Sequence, residues 1–113
     1  MSQTRNDAGL APFEIWEVML DNSTIKFHKP LVVTPRRMPH DQDEPGDVEY
    51  WEVDFPQLNI SAHGRTRQEL WECVLGDIRF NWIEYVSMDD RKLAPLAKSY
   101  KDAYLAMAEV VDG

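Results

Sequence analysis

The sequence VEYWEVDFPQLNISAHGRTRQEL, residues 48–70, decides the fold of this chain. It contains two runs in which every second residue is apolar: Trp51, Val53 and Phe55, then Leu58, Ile60 and Ala62. Alternation with a period of two is typical of a strand that has one face in the core and one face in water. Only Pro56 and Gln57 separate the two runs, so we predict two antiparallel strands joined by a tight turn.

A helix is predicted immediately after the second strand. Thr66 and Glu69 form a capping box, in which the hydroxyl and the carboxylate satisfy backbone donors at the start of a helix. Eight later apolar residues fall within one arc of about 160° on a helical wheel. They are Leu70, Trp71, Val74, Leu75, Ile78, Trp82, Tyr85 and Val86. This broad apolar face predicts a long helix packed on one face of the sheet.

A second, smaller group of residues lies on nearly the opposite side of this predicted helix. It consists of Cys73, Gly76, Phe80 and Ile83. A helix that covers a single sheet should meet water on that side, so apolar residues there indicate a covered surface. We name this predicted helix, which begins after Thr66, helix α1, and we call the group the α1 stripe. We interpret the stripe as a dimer interface, and docking of another protein is the alternative.

The residues before this unit predict a hairpin preceded by a flexible tail. Residues 1–12 are polar and aperiodic, which is typical of a loosely attached terminus. Residues 13–20 are rich in aromatic and β-branched side chains, and after a polar turn the pattern resumes over residues 24–28. Residues 31–33 can extend the second strand along a sheet edge. Residues 34–47 contain three prolines and mostly charged side chains, so an exposed loop is predicted.

Residues 89–113 complete the predicted architecture. Pro95 suits the first turn of a helix, and apolar residues then recur at helical spacing. These are Leu96, Tyr100, Ala103, Met107 and Val110. We therefore predict an α+β domain over residues 13–88, in which an antiparallel sheet of three to four strands carries one long helix on one face. The predicted order is β-β-β-β-α-α, with a C-terminal amphipathic helix over residues 89–113.

The charge of the chain favours a protein partner over nucleic acid. The 113 residues carry a formal net charge of −8, whereas phosphate binding demands a basic surface. Seven carboxylates and no Lys or Arg lie between Asp41 and Asp54, and such a field can steer a basic partner. No run approaches the roughly 18 apolar residues that cross a bilayer, and the N-terminus lacks a secretory signal. This predicts a cytoplasmic protein without membrane contact.

Motifs of catalysis and cofactor binding are missing from the sequence. It has no P-loop, dinucleotide fingerprint, zinc-protease helix or nucleophile elbow, and its single cysteine, Cys73, excludes a disulfide framework within the chain. The three histidines, His28, His40 and His63, have no partner at local metal-ligand spacing. We therefore predict no enzyme, no cofactor and no metal. A small enzyme that uses His63 is the less favoured alternative.

Residues 53–70 resemble the HicB-like antitoxin family. The shared features are an extended segment that ends in Phe-Pro-x-Leu, a short strand that closes on a glycine, and Thr-x-x-Glu at the start of an amphipathic helix. The similarity covers about 40 residues, 48–87. It implies a partial ribonuclease-H-like β-β-β-α sheet, and a protein that dimerises and neutralises a small basic ribonuclease toxin. The DNA-binding segment that often follows this domain in the family has no obvious counterpart in residues 88–113.

The sequence therefore predicts an antitoxin-like protein that binds a small basic toxin by docking. The predicted partner-binding residues are Glu49, Tyr50, Glu52, Asp54 and His63. The predicted dimer interface is the α1 stripe. A nucleic-acid-binding transcriptional regulator that uses the sheet face or the terminal helix remains the main alternative.

Overall fold

The computed structural model describes residues 11–37 and 50–112 and shows an α+β protein with antiparallel strands, which confirms the predicted fold class. The strands are β1 (Phe13–Met19), β2 (Ser23–Val33), β3 (Arg36–Arg37), β4 (Trp51–Phe55), β5 (Ile60–Gly64) and β6 (Ala108–Asp112). The helices are α1 (Arg67–Asn81) and α2 (Pro95–Met107). Shorter helical turns span Pro56–Leu58, Trp82–Val86 and Asp90–Lys92. Neither helix within the described ranges has the length and apolarity that a membrane span requires.

The strands form two sheets of three strands each, whereas one sheet of three to four strands was predicted. The first sheet has the order β1-β2-β6 and the second sheet has the order β3-β4-β5. The prediction was wrong in this detail because β2 pairs with β6, which sequence reasoning missed, and no ladder joins β2 to β4 among the described strands. The second sheet also contains β3, whose Arg36 and Arg37 pair with Glu52 and Trp51 of β4, so the loop predicted over residues 34–47 is wrong at these two residues.

The first hairpin changes its register near the middle. Phe13 to Ile15 pair with Leu31 to Val33, but Glu17 to Met19 pair with Thr24 to Lys26. The shift places extra residues on β2 between the two paired segments, around Pro30. Proline suits such an irregularity because it cannot donate a backbone hydrogen bond to a strand ladder. The predicted hairpin and the predicted extension over residues 31–33 are both present.

Helix α1 begins where the capping box predicts. The Thr66 hydroxyl accepts a hydrogen bond from the Glu69 backbone N–H at 3.1 Å, and the Glu69 carboxylate accepts one from the Arg65 N–H at 2.9 Å. Gly64 ends β5 against this first turn, and a Cβ atom there would lie 2.6 Å from the Leu70 nitrogen. Glycine is therefore required by the close approach of strand and helix.

The predicted apolar face of α1 forms the centre of the core. Leu70, Val74 and Ile78 are fully buried, and Trp82 and Val86 continue this face through the π-type turn that follows the helix. They pack with the inward residues of both sheets in one hydrophobic cluster. The two sheets therefore share a single core.

The C-terminal helix is shorter than predicted. Helix α2 ends at Met107, and Val110, predicted to lie on it, lies on β6. Leu96 was predicted on the apolar face but is exposed, whereas Tyr104 is the buried residue of this helix. The helical prediction failed at residues 108–112 because these residues pair with β2, a strand that is distant in sequence.

A buried polar cluster joins α1, α2 and the β4–β5 turn. Asn59, at the turn, has a positive φ of 53° and donates from its side chain to the Asn81 side-chain oxygen at 3.0 Å. Asn81 donates to the Leu58 and Asn59 carbonyl oxygens at 3.0 and 2.9 Å. The Tyr104 hydroxyl donates to the Leu58 carbonyl at 2.6 Å, and burial raises the pKa of this phenol far above its usual value. Asn59, Asn81 and Tyr104 are called the Asn81 cluster below.

Candidate functional site

The polar side of the second sheet carries most of the predicted partner-binding residues. In the β4–β5 register, Glu52 lies opposite His63 and Asp54 lies opposite Ser61. Arg36 lies opposite Glu52 on the other side of β4. Tyr50 and Arg65 extend the same side beyond the ends of the strands. We call this surface the outer face; it consists of Arg36, Tyr50, Glu52, Asp54, Ser61, His63 and Arg65.

Three residues of the outer face form a row across all three strands, called the Glu52 ladder below. The Arg36 guanidinium donates to the Glu52 carboxylate, and His63 Nε2 lies 3.6 Å from the other carboxylate oxygen. The Glu52 side chain is only 12% exposed, whereas those of Arg36 and His63 are 72% and 54% exposed. The charge of Glu52 is therefore compensated by Arg36, and its side chain is covered by both neighbours. Glu52 therefore links the three strands of the outer face, and its carboxylate is not free to bind another group.

An arginine and a tyrosine form the end of the outer face nearest to helix α1. The Arg65 guanidinium lies over the Tyr50 ring, 5.2 Å from its centroid, and donates to the Tyr50 hydroxyl at 3.0 Å. Cation–π contacts of this kind fix the orientation of an exposed ring. Tyr50 is half-buried as a result. Sequence reasoning did not select Arg65 or Arg36, although the β4–β5 register, extended by one pair, would have placed Arg65 beside Tyr50.

Within the described residues, the outer face carries a balanced set of charges. Two arginines, Arg36 and Arg65, balance the two carboxylates, Glu52 and Asp54. Asp54 is exposed, so it is the more accessible of these carboxylates. Glu49 and the four other carboxylates between residues 41 and 49 lie outside the described residues.

Strand β5 forms an edge of the second sheet that a carboxylate closes. Asp77, on helix α1, accepts a hydrogen bond from the Ser61 backbone N–H at 2.9 Å. Burial raises the pKa of Asp77, and this effect outweighs the opposing influence of the Ser61 N–H and of His63. The bond occupies a backbone donor that would otherwise be open to another strand. No sequence pattern had indicated this role.

The residues of the α1 stripe share one side of the helix but differ in exposure. Phe80 and Ile83 are each 56% exposed, whereas Cys73 is half-buried and packs against the core. A Cβ atom at Gly76 would meet only open space. Ile83 also lines a shallow pocket with Met19, at the β1–β2 turn. The apolar surface of the stripe therefore comes from Phe80 and Ile83, and exposed Met19 extends it.

A groove of about 580 Å³ lies between β2, β4 and the end of α2. It is lined by residues 27–32 together with Phe55, Ala106 and Met107. Most of its lining is apolar, and His28 and Lys29 supply the charged and titratable groups. Sequence reasoning missed this groove because three distant segments of the chain form it.

The surroundings of His63 bear on the alternative in which this histidine serves a small enzyme. Within residues 11–37 and 50–112, no group of three His, Cys, Asp or Glu side chains is placed to hold a metal ion. His63 has Glu52 beside it, but the pair lies on the open outer face and Arg36 already neutralises the carboxylate. A general base needs a carboxylate or imidazole that a bound substrate can reach in a defined pose.

Comparison with known protein families, with curated protein sequences and with solved structures finds no match to this chain.

Proposed function

We propose that this protein is an antitoxin-like module that binds and neutralises a small basic protein toxin, a ribonuclease in the HicB-like interpretation. The observation that carries the proposal is the outer face of the second sheet. Helix α1 packs against the opposite side of that sheet, through Leu70, Val74 and Ile78, whereas Asp54, Ser61 and His63 remain exposed. A sheet with one bare polar face is a common docking surface, because a partner can pair with its side chains over a wide area.

The order of the elements supports the family interpretation. Strands β3, β4 and β5 followed by helix α1 form a β-β-β-α unit over residues 36–81, within the order that the resemblance implies for a partial ribonuclease-H-like sheet. In this proposal the first hairpin and β6 are additions to that unit. The Glu52 ladder occupies the centre of its open face.

Charge supports a basic partner through the chain as a whole. The net charge of −8 produces a negative field that accelerates the approach of a cationic protein. The outer face itself is balanced, so contacts there define the orientation of the partner more than they add attraction. Glu52 is already paired, which leaves Asp54 as the described carboxylate most open to a basic side chain.

The test begins with a small basic protein encoded beside this gene, produced together with this chain and captured on it. We expect co-expression to relieve the growth arrest that the basic protein causes alone. The Asp54→Lys variant should associate severalfold more slowly at low salt, and this difference should shrink at high salt. Glu84→Lys is the matched control, because Glu84 is an exposed carboxylate on the turn that follows α1.

Two results would contradict the proposal. The first is a neighbouring basic protein that neither binds the chain nor is neutralised by it. The second is equal association rates for the Asp54→Lys and Glu84→Lys variants. That result would mean that overall charge alone sets the association rate and that the outer face is not part of the interface.

One observation favours the nucleic-acid alternative enough to test it. Arg36 and Arg65 bring two guanidinium groups to the outer face, with the Tyr50 ring beside them. Such a combination can contact phosphates and stack on bases. Gel-shift titrations with duplex DNA and structured RNA at two salt concentrations separate the functions. A steep salt dependence that Arg65→Gln reduces would favour nucleic acid, whereas docking of a protein predicts no retarded band.

A further inference from the structure

Strand β6 forms an edge of the first sheet that differs from the other described edges. Edge β5 is closed by Asp77, the Met19 carbonyl on edge β1 accepts a hydrogen bond from the Arg79 side chain at 3.0 Å, and edge β3 is only two residues long. Strand β6 runs in unbroken register with β2 for five residues. Its sequence, AEVVD, has none of the lysine, proline or bulge residues that protect exposed edges from pairing. Among the described strands, none pairs with its outer side.

The side chains of β6 leave an apolar residue partly uncovered at this edge. Val110 lies opposite Ile25, which is fully buried on the core side of the sheet. Val110 is nevertheless 39% exposed because no strand lies beyond it in the described sheet. Another strand alongside β6 would extend the core over Val110 and remove its side chain from water.

The backbone of β6 presents the groups of Val110 to the open edge. The Ser23 carbonyl faces β1, because it accepts the Leu20 N–H at 2.8 Å across the hairpin turn. Backbone groups of a strand alternate in direction, so those of Thr24 and Lys26 face β6. Their partners Val111 and Glu109 therefore face β2, and the N–H and C=O of Val110 point outward. The direction of the Ala108 N–H fits this alternation, because this group donates to the Tyr104 carbonyl instead of to β2.

The charge pattern of β6 is compatible with pairing to itself in one register. If two copies of β6 pair antiparallel about Val110, Val110 faces Val110, Glu109 faces Val111 and Ala108 faces Asp112. No two carboxylates lie directly opposite each other in this arrangement. A two-fold axis at Glu109 would instead place two glutamates in direct opposition, which is destabilising. An axis at Val111 would pair fewer residues of the strand.

We propose that two copies of this chain associate through β6, antiparallel and about a two-fold axis at Val110, so that two first sheets form one six-stranded sheet. The proposal goes beyond the docking function, since the outer face lies on the second sheet and stays free. In this proposal the dimer interface is β6 and not the α1 stripe, which the sequence predicted as the dimer interface. The stripe then remains available to contact another protein. A five-residue strand pair is smaller than a standard interface of about 1,600 Å². We therefore expect a dissociation constant on the order of 10 μM.

A pair of proline variants tests the predicted direction of the backbone groups. Val110→Pro removes an N–H that points outward, so it should abolish the dimer in sedimentation equilibrium and leave the folded spectrum unchanged. Val111→Pro removes an N–H that bonds to β2, so it should lower the melting temperature of the monomer. Equal loss of folding in both variants would contradict the inference that the Val110 N–H points outward and the Val111 N–H bonds to β2.

A cysteine pair tests the register itself without disturbing the backbone. In a Cys73→Ser background, Val110→Cys places two thiols directly opposite each other, with Cα atoms about 5.5 Å apart, within the range of a disulfide. We expect rapid oxidation to a covalent dimer. Glu109→Cys is the control and should oxidise much more slowly, because its opposite neighbour is Val111. Equal oxidation of both variants would overturn the proposed axis.

The oligomeric state of the full chain distinguishes this proposal from its competitors. A monomer throughout a range of about a hundredfold around the expected dissociation constant would overturn it. A dimer that persists in Val110→Pro but is lost in Phe80→Lys would also overturn it and would assign the interface to the α1 stripe. Capture of the basic partner is measured separately, and its failure would leave the pairing of β6 untouched.

Discussion

The two sheets of this protein are stabilised in different ways. In the first sheet, the central strand β2 buries four apolar residues, Ile25, Phe27, Leu31 and Val33, and one polar residue, Thr24. The second sheet also has an apolar inner side, but polar groups flank it above and below: the Glu52 ladder on its outer face and the Asn81 cluster beneath its turn. Apolar burial is non-directional, whereas hydrogen bonds require defined partners. Apolar packing therefore predominates in the first sheet, whereas the second sheet adds polar contacts of defined geometry on both of its sides.

The strongest test of this contrast is a cavity in the first sheet. Ile25→Ala removes a fully buried side chain between β1 and β6, and we expect a loss of about 3 kcal/mol in the free energy of unfolding. Denaturant titration measures it. Val32→Ala, at a half-exposed position of the same strand, serves as the control and should cost less than about 0.5 kcal/mol. Similar losses in both variants would mean that the core side of β2 is no more tightly packed than its exposed side.

A smaller loss of stability is expected when the Asn81 cluster is disrupted. Asn81→Ala leaves the Asn59 carbonyl and the Asn59 amide without their partner, and about 2 kcal/mol of stability should be lost. Tyr104→Phe removes only the bond to the Leu58 carbonyl and the contact with Asn81, so about 1 kcal/mol is expected. The double variant should lose less than the sum, because the two residues share partners. Strict additivity would show that the cluster does not act as a unit.

The Glu52 ladder should contribute still less to stability. Glu52→Gln removes the charge but keeps the shape, and Arg36, which is largely exposed, can be solvated by water. We expect a loss of less than about 1 kcal/mol that diminishes as salt is added. Asp54→Asn, on the same strand, should be neutral and independent of salt. A loss in Glu52→Gln as large as that in Ile25→Ala would contradict the assignment of packing to the first sheet.

The smallest effect concerns the closed edge of the second sheet and its dependence on pH. Burial raises the pKa of Asp77 in the folded state above its unfolded value. The folded state therefore binds this proton more readily, and stability falls as the pH rises from the unfolded pKa through the folded pKa. Asp77→Asn should remove this decrease and still accept the Ser61 N–H. Melting temperatures measured across the acidic range should show Asp77→Asn gaining stability relative to the unsubstituted protein as the pH rises, with no such gain in the Glu72→Gln control.

Local sequence patterns predicted the β4–β5 hairpin and the start of helix α1 well. The alternation of Val53 and Ala62, the capping box at Thr66 and the apolar arc from Leu70 all depend on neighbours within a few residues, so periodicity reports them directly. The same alternation placed Tyr50, Glu52, Asp54 and His63 on one polar side. It could not show that Glu52 is paired, because Arg36 reaches it from a strand sixteen positions away.

The residues that sequence reasoning missed are those whose partners are remote. Strand β6 pairs with β2, which lies about eighty residues earlier in the sequence. It was missed because the apolar residues up to Val110 also fit a helical spacing. Tyr104 could not be identified as the buried anchor of α2, since its partners Leu58 and Asn81 belong to other elements. Asp77 looked like an ordinary polar residue of a helix, and only the position of β5 gives it a role.

By itself, the sequence determined the α+β fold class, the β4–β5 hairpin and the start of α1. It also determined the division of β4 and β5 into an apolar and a polar side. These features follow from steric and solvation preferences of residues that are close in the chain. Tertiary structure alone decided that the strands divide into two sheets, that arginines balance the outer face, and that one edge is closed while another is open. Each of those outcomes depends on hydrogen bonds and charges brought together from distant segments, which no local pattern encodes.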